Sequence, residues 1–437
     1  MTSTKFESKP LFTRQQLTAL LLPLIAEQAL SVTIGLADTL MVSSVGEAAV
    51  SGVSLVDTFN TLMIQIMTAL ATGGAVVASQ YIGHREEKNA RAAAAQILFI
   101  MSSFSVLVAA VVVVGRHAIL RGIFGAIDAD VMRYAETYFL LSALSYPFIG
   151  LYNAGAALFR AQGNSKISMM SSLVMNVVNI GGNAILIFGF GMGVMGAALA
   201  SLISRAVACC AVLFLLQKPD CMLRITGLSA LRPDGGLIRR ILRVGIPAGI
   251  ENGMFQIGKL SVASLTSTLG TAAIAANAVS MAVLTVVGQC LGAGEKEQAV
   301  WYARRLLLVA YCGAWVMNLS GFFFADRWAL SWFNLSPEAS AMALEVMMWF
   351  NIVSLFFWPS SFTLPNILRS AGDASFTMAV SIVSMWVFRV GFCYLWVLRM
   401  GGGLLSIWMG MYLDWAFRSI CFTVRFVRGK WLEQKVI

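Results

Sequence analysis

The chain has 437 residues, of which 58% are hydrophobic and 12% are charged, and its net charge is +10. Soluble domains carry about 25% charged residues, so the composition excludes a protein surrounded mostly by water. The Lys and Arg residues lie between apolar segments instead of forming one basic face, which argues against a nucleic-acid partner.

Apolar runs of membrane-spanning length recur along the whole chain, since a spanning helix needs about 20 mostly apolar residues. The first run is too long for a cleaved signal peptide. The runs cover residues 17–42, 50–79, 92–115, 134–159, 167–190, 194–216, 244–268, 272–291, 305–325, 342–368, 376–398 and 404–424. The predicted fold class is therefore an all-α integral membrane protein with twelve transmembrane helices.

The basic residues indicate how the chain is oriented in the membrane. With both termini in the cytoplasm, 23 of the 31 Lys and Arg residues fall on that side and five on the other, while Arg205, Lys259 and Arg389 lie within spans. We therefore predict a multi-pass protein of the bacterial inner (cell) membrane with both termini cytoplasmic.

A fixed offset relates the two halves of the sequence. Pro23, Glu27 and Gly46 recur 224 positions later, whereas the Gln-x-x-Gly at 80–83, the Arg-x-x-Gly at 160–163 and Gly193 recur 209 positions later. Such spacing indicates a duplication, and repeats of six spans are parallel because both start on the same side. The predicted domains are a six-helix lobe at 1–216, a cytoplasmic linker at 217–243 and a second six-helix lobe at 244–437.

The change of offset predicts that the eighth helix is shortened. Gly46 and Gln80 are 34 positions apart, but Gly270 and Gln289 are only 19 apart. About fifteen residues are therefore missing from the second repeat, either by a real deletion or by omission from the sequence. An omission predicts a chain break or strained backbone near Ser280–Val283, and a continuous helix there would count against it.

Motifs of enzymes and of metal sites do not occur in the sequence. The chain has no GxxxxGK[ST] phosphate loop, no CxxC pair and no paired-histidine zinc motif, its histidines being His84 and His117 alone. We therefore expect neither an enzyme, a metal site nor a cofactor. An ion gradient, of protons or of sodium, is the expected energy source.

Charged residues inside the predicted spans are the strongest functional signal, because placing one at mid-depth costs about 2.5–3.5 kcal/mol. The acids are Glu27, Asp38, Asp57, Glu136, Glu251 and Asp414, and the bases are Arg205, Lys259 and Arg389. We expect structural roles for Asp57, Glu136, Asp414, Arg205 and Arg389.

Asp38 is the predicted proton-coupling group, since burial disfavours the charged form of a carboxyl group; the alternative is a cap at the outer end of its helix. Asn176, Asn179 and Asn183 repeat at helical spacing and form one polar stripe. That stripe can form a hydrogen-bond relay beside Asp38 or can simply hold helices together.

Span seven carries a second polar face, with Glu251, Gln256 and Lys259. This face either lines a substrate cavity together with Asn176, with Glu251 attracting a cationic substrate, or joins the two lobes. Because Glu27 is the equivalent of Glu251 in the first repeat, a shared structural task near the cytoplasmic helix ends is also open.

Six segments in order resemble the multidrug and toxic compound extrusion (MATE) family. They are GLADTLMV at 35–42, LFRAQGN at 158–164, GVMGAALAS at 193–201, LGTAAIAAN at 269–277, GQCLGAGE at 288–295 and LRSAGD at 368–373. The resemblance runs from about residue 17 to 425. It implies cation-coupled export of amphipathic organic cations from a central cavity between two six-helix lobes.

Within this family, the chain is more similar to the DinF-like than to the NorM-like branch. The NorM-like acid after the proline of span seven is Phe255 here, and no Asp lies between 345 and 368. The DinF-like cation site maps onto Asp38, Asn153, Asn179 and Ser201, but its second carboxylate falls on Asn183. The resemblance therefore implies a single proton switch at Asp38 and not a metal-ion cage.

The predicted function is proton-coupled antiport of organic cations by alternating access, by a monomer whose partners are membrane lipid and small organic cations. Sodium coupling and the flipping of lipid-linked precursors on the same architecture are the alternatives. A membrane receptor or membrane-embedded enzyme is disfavoured, because the chain has no soluble domain and no catalytic cluster.

Overall fold

A computed structural model describes residues 10–125, 128–225, 232–261, 270–320, 337–400, 404–434 and 436–437. In these ranges the chain forms twelve long helices. They are α1 (Arg14–Ser43), α2 (Glu47–Gly83), α3 (Glu87–Phe124), α4 (Ala129–Ala161), α5 (Ser165–Asn183), α6 (Gly193–Gln217), α7 (Gly235–Ser261), α8 (Gly270–Gly292), α9 (Lys296–Ser320), α10 (Pro337–Ser370), α11 (Ala374–Ser384) and α12 (Leu404–Val427). The prediction of an all-α fold is confirmed.

Two helices change their winding along their length. A π-helical segment (Ala184–Gly189) continues α5, and a second one (Met385–Phe392) continues α11 before a last α-helical stretch (Cys393–Met400). Short π-helical segments occur frequently at functional sites. The first begins directly after Asn183, and the second contains Arg389.

The outer surface is suited to lipid. Seven of the described helices are long enough and apolar enough to cross a membrane by themselves. Large apolar side chains such as Leu40, Val114, Phe190 and Val427 are more than 70% exposed. In water these side chains would form an extended apolar surface, whereas a bilayer solvates them.

The helix α8 corrects one expectation from the sequence. It runs without interruption from Gly270 to Gly292, so the break or strain expected near Ser280–Val283 is wrong. At 1.5 Å per residue these 23 residues extend for about 34 Å, enough to cross a hydrocarbon core of about 30 Å. The shorter helix therefore still spans, while its counterpart α2 has 37 residues.

Packing joins the first half of the chain (α1–α6) to the second half (α7–α12). Leu20 and Leu24 of α1 belong to an apolar cluster formed mainly by α8, α9, α10 and α12. Ile241 and Val244 of α7 belong to the cluster at the centre of the first half. The division into two lobes with a linker at 217–243 stays a prediction, and α7 begins inside that interval.

The repeated Arg-x-x-Gly motif ends a helix in each half. Gly163 and Gly372 adopt φ angles of +80° and +92°, a conformation that favours glycine. The amide nitrogens of Gly163 and Asn164 bond back to the ends of α4, and Gly372 and Asp373 do the same at α10. The motif is therefore a helix stop that both repeats retain.

Candidate functional site

A pocket lies between α1, α2, α4 and α6. It encloses about 350 Å³, counting its open mouth, and combines carboxylates with apolar side chains. The lining residues are Asp38, Val42, Val50, Val53, Ser54, Asp57, Tyr138, Ala197 and Ser201. Four of the nine lining residues are apolar, and polar groups from all four helices converge on the same space, as they do in small-molecule sites.

Hydrogen bonds connect Asp38 to α5 and α6. Asn183 Nδ2 donates to Asp38 Oδ1 at 2.5 Å and also lies 3.4 Å from Asn179 Oδ1. Asn179 Nδ2 in turn donates to Ser201 Oγ at 3.1 Å. Four of the five predicted coupling residues thus form one polar chain that starts at the pocket and follows the asparagine stripe of α5.

Two other predicted asparagines do not join this chain. Asn153 Nδ2 lies 3.4 Å from Thr68 Oγ1 of α2, and Asn153 is fifteen residues, or about 22 Å, further along α4 than Tyr138. Asn176 Nδ2 donates to Ser172 O of its own helix at 2.8 Å. The structure therefore places Asn153 away from Asp38 and gives Asn176 a bond within α5.

Asp57 of α2 is a pocket residue to which sequence reasoning gave a structural role. Its Oδ1 accepts from Asn60 Nδ2 at 3.2 Å, and the hydroxyl of Tyr138 also hydrogen-bonds its carboxylate. Asn60 is fixed by Tyr146 OH, which donates to Asn60 Oδ1 at 2.7 Å. The signal in the sequence was an acid within an apolar run, but only the register between α1 and α2 shows that it faces Asp38.

Arg205 of α6 is the cation near this pocket. Its Nη1 donates to Ser145 Oγ of α4 at 2.6 Å, and its charge acts on both Asp38 and Asp57. Among the described residues it forms no ion pair within 4 Å with either aspartate. The structural role expected for Arg205 agrees with its bond to Ser145, which joins α6 to α4. The positive charge of Arg205 also acts on the two aspartates of the pocket.

The predicted substrate-cavity residues of α7 have other surroundings. Glu251 is 4% exposed and lies 2.5 Å from Arg369 Nη2 and 3.5 Å from Arg418 Nη2. Ser381 Oγ also donates to it at 2.6 Å. Since two arginines neutralise it, Glu251 has no charge left to attract a cationic substrate in this conformation.

The assignment of this face of α7 to a substrate cavity stays a prediction. Gln256 is partly exposed, and the side chain of Lys259 lies outside the described residues. Arg418, one of the 23 basic residues counted on the predicted cytoplasmic side, is buried on α12 and contacts the rings of Phe255 and Phe362. The excess of basic residues on the predicted cytoplasmic side is therefore smaller than the sequence suggested, but its sign is unchanged.

A second buried ion pair lies between α11 and α12. Arg389 Nη2 is 3.3 Å from Asp414 Oδ2, and both side chains are at most 5% exposed. Ser384 Oγ bonds to the other oxygen of Asp414, and the Arg389 guanidinium lies over the ring of Phe255. The structural roles expected for Arg389 and Asp414 agree with this arrangement.

Glu27 has the same surroundings in the first half as Glu251 in the second. Arg160 Nη1 donates to Glu27 Oε1 at 3.1 Å, and Ser168 Oγ donates to its Oε2 at 2.8 Å. Arg160 and Arg369 are related by the 209-residue offset, so the duplication has retained this ion pair in each half. The shared structural task proposed for the two glutamates fits these contacts.

Two glutamines join the halves at the end that the sequence predicts to be cytoplasmic. Gln80 Nε2 of α2 donates to Ser370 O of α10, and Gln289 Nε2 of α8 donates to Ala161 O of α4, each at 2.7 Å. Both donors and both acceptors are related by the same offset of 209 residues. We call this reciprocal pair of hydrogen bonds the glutamine clasp.

The glycines of the Gln-x-x-Gly motif allow α2 and α8 to approach each other closely beside the clasp. A Cβ on Gly83 would overlap the backbone carbonyl of Gln289, and a Cβ on Gly292 would overlap that of Gln80. Thr285 Oγ1 adds a bond to Arg160 O at 2.9 Å. The motif that indicated the duplication is therefore the contact between the repeats.

Known proteins resemble this chain in sequence along nearly its whole length. The family model MatE matches residues 23–185 and 251–395. A probable multidrug resistance protein NorM of Thermotoga maritima is 26% identical over 97% of this chain and 94% of its own length. The uncharacterized transporter YisQ of Bacillus subtilis is 26% identical over 98% and 97%.

Solved structures share the fold. A MOP superfamily transporter of Pyrococcus furiosus, described as having a binding pocket of reverse polarity, gives a TM-score of 0.87 at 20% identity over 96% of this chain and 97% of its own. The outward-facing conformation of a multidrug resistance MATE family transporter gives 0.85 at 20% identity over 95% and 94%.

Proposed function

Since this chain belongs to the MatE family of multidrug export transporters, we propose that it exports amphipathic organic cations in exchange for protons. Membership in this family makes it a multi-pass membrane transporter and not an enzyme. The proposed exchange takes place across the bacterial inner membrane, in a monomer with both termini in the cytoplasm and its lobes joined by the segment 217–243. The site residues are closer to those of the DinF-like branch.

The observation that supports proton coupling is the set of partners around Asp38. Its bonded neighbour Asn183 offers an amide nitrogen that donates to the ionised carboxylate, while Asn183 Oδ1 is buried without a partner among the described residues. After rotation of the amide, this oxygen can accept the O–H of a protonated Asp38. Asn183 can therefore stabilise both protonation states, which a reversible proton site requires.

Alternating access links this site to the opposite end of the molecule. The glutamine clasp holds the proposed cytoplasmic side closed, so release of Gln80 and Gln289 is required before a cavity can open there. Protonation of Asp38 from outside displaces an organic cation from the pocket, and a cation arriving from the cytoplasm favours loss of that proton. Exchange follows because one pocket cannot hold both charges.

Sodium coupling is the second candidate, and the acidic pocket favours it. Asp38, Asp57, Ser54 and Ser201 offer oxygen atoms to one space, and hard cations prefer such ligands. Among the described residues, however, no three His, Cys, Asp or Glu side chains come together.

Flipping of lipid-linked precursors is less favoured by the charges in the second half. That chemistry needs arginines free to bind a pyrophosphate. Arg369, Arg389 and Arg418 are buried there, but each is paired with Glu251 or Asp414. The three guanidinium groups share two carboxylates, so each already bonds an acid, although one positive charge is left over.

Transport in everted vesicles tests the proposal. We expect a fluorescent organic cation to be taken up against its gradient when a pH gradient is imposed, and not when a sodium gradient is imposed alone. Asp38→Asn abolishes this uptake, while Glu47→Gln, which removes an exposed acid at the start of α2, leaves it unchanged. Uptake by Asp38→Asn at the rate of the parent protein, or uptake driven by sodium, would contradict the proposal.

A further inference from the structure

We infer that Asp57 is a second cation-binding carboxylate of the Asp38 pocket and that Arg205 offsets one of the two acids, so that the pocket accepts one positive charge at a time. This inference rests on the proposed function and deepens it. It names the ligand class as the positively charged nitrogen group of a monovalent organic cation, and it sets the exchange at one proton for one such cation.

Asp38 and Asp57, which are half-buried at the pocket, have different partners from the fully buried acids. Each fully buried acid has an arginine within 4 Å, as in the pairs Glu27–Arg160, Glu251–Arg369, Asp373–Arg425 and Asp414–Arg389. Among the described residues, Asp38 and Asp57 form no such pair. Their partners are neutral donors, namely Asn183 for Asp38 and Asn60 and Tyr138 for Asp57.

The charges around the pocket sum to one negative charge when both acids are ionised. They are the carboxylates of Asp38 on α1 and Asp57 on α2 and the guanidinium of Arg205 on α6. The polar groups of α4 and α5 that face Asp38 are Tyr138, Asn179 and Asn183, and α8 carries no charged residue between 270 and 292. Because an uncompensated buried charge is costly, the pocket is stable with one added proton or one added cation.

The shape of the wall also supports the inference. Val42, Val50 and Val53 surround the carboxylates, so a positively charged nitrogen group against the acids places its neighbouring carbon atoms against valine side chains. The tyrosine ring of Tyr138 adds an aromatic face suited to a cation.

This charge balance predicts how the rate of transport depends on membrane potential. Exchange of one proton for a monovalent cation moves no net charge, whereas exchange of one proton for a divalent cation does. Ethidium and propidium are a matched pair of probes, since they share a ring system and differ by one quaternary ammonium group. Ethidium exchange by the parent protein is therefore insensitive to membrane potential, and propidium exchange is accelerated when the potential drives positive charge outward.

The test uses the full chain in proteoliposomes, with a pH gradient imposed and the potential set by potassium and valinomycin. Asp57→Asn leaves the deprotonated pocket neutral, so the KM for ethidium rises at least about tenfold, the effect of losing one favourable charge interaction. Arg205→Gln leaves two negative charges, so that two protons exchange for one ethidium and the rate becomes dependent on potential.

The double variant Asp57→Asn/Arg205→Gln distinguishes charge balance from a merely structural role. It restores one negative charge, and we expect its KM for ethidium to return to within about threefold of the parent value. Any of three results would overturn the inference. The KM of the double variant could stay as high as that of Asp57→Asn, the KM of Asp57→Asn could equal the parent value, or ethidium exchange by the parent protein could depend on membrane potential. Thermal unfolding in detergent checks that every variant is folded, with Glu47→Gln as the control.

The two proposals fail in different ways. If Asp38→Asn still couples export to the pH gradient, proton coupling at Asp38 is wrong whatever Asp57 does. If Asp38→Asn is uncoupled while Asp57→Asn transports ethidium like the parent protein, the coupling proposal stands and the inference about Asp57 is wrong.

Discussion

The two halves of the molecule bury charge in opposite ways. In the first half, Asp38 and Asp57 lie at a pocket with neutral partners, and the nearby Arg205 pairs directly with neither of them among the described residues. In the second half, Glu251 and Asp414 are both paired directly with arginines. Positions 205 and 414 are related by the 209-residue offset, yet one is a base and the other an acid.

This difference shows what the duplication retained and what it changed. The ion pairs Glu27–Arg160 and Glu251–Arg369 near the predicted cytoplasmic ends are the same in both halves. Further along the helices the two halves differ. The acids of the second half form direct ion pairs with arginines, and Asp38 and Asp57 of the first half do not. Because a buried acid without a cation is costly, its retention in the first half points to function, whereas the pairs of the second half point to structure.

The largest effect that would sharpen this contrast is expected at Arg389. Arg389→Met leaves Asp414 buried without its cation, and we expect a loss of about 3–5 kcal/mol of stability. Arg205→Gln in the first half removes one hydrogen bond to Ser145 and should cost about 1.5 kcal/mol. Thermal and denaturant unfolding in detergent measures both.

A control separates lost pairing from lost packing at this pair. Arg389→Met/Asp414→Leu removes both charges and should recover most of the stability lost by Arg389→Met alone, because well-packed apolar residues can replace a buried ion pair. Equal losses for Arg389→Met and Arg205→Gln would remove the distinction between the two halves.

The second prediction concerns the pair of glutamates that the halves share. Glu27→Gln should cost about 1.5–3 kcal/mol, since its pair with Arg160 is partly exposed. Glu251→Gln should cost about 3 kcal/mol, the lower end for breaking a buried pair, because the amide still bonds its neighbours. We expect the larger loss for Glu251→Gln, because it leaves Arg369 and Arg418 without their common acid. The same unfolding measurement applies, and a Glu27→Gln variant of parental stability that cannot transport would instead place Glu27 in the transport cycle.

The smallest expected effect tests the symmetry of the clasp. Gly83→Ala and Gly292→Ala each force a methyl group against the facing glutamine, and overpacking of this kind costs about 1–3 kcal/mol. We expect both variants to favour opening of the cytoplasmic side to a similar degree, as measured by spin-label distances across that side.

Gly122→Ala is the matched control for these glycine variants, because a Cβ there has nothing within 4 Å. Its spin-label distances should equal those of the parent protein. A large effect of Gly83→Ala with none of Gly292→Ala would show that the two repeats do not contribute equally to closure.

The sequence predicted the frame of the molecule better than its site. Long apolar runs specify spans directly, and repeated motifs such as Arg160-x-x-Gly163 mark helix ends that both halves need. Asp38, Asn179, Asn183 and Ser201 came together as expected from helical spacing and from family resemblance. The position of Asp57 in the same pocket as Asp38 was not predicted, because it depends on how two helices are rotated against each other, which spacing along one helix does not encode.

Ion pairs between distant parts of the chain are equally hidden from the sequence. Glu251 is predicted to line a substrate cavity because it is an acid in an apolar span, but its partners Arg369 and Arg418 lie more than a hundred residues away in sequence. Arg418 is counted on the predicted cytoplasmic side because it lies near the end of the last apolar run. A single sequence shows which charges enter the membrane, and tertiary packing decides which of them are neutralised there.

The glutamine clasp also limits how firmly the transporter can rest in one state. Its two reciprocal hydrogen bonds contribute about 1 kcal/mol each, while a proton moving down a difference of two pH units releases about 2.7 kcal/mol. One proton therefore releases enough free energy to break the two hydrogen bonds of the clasp. Because these two bonds have the same length, opening can start from either repeat.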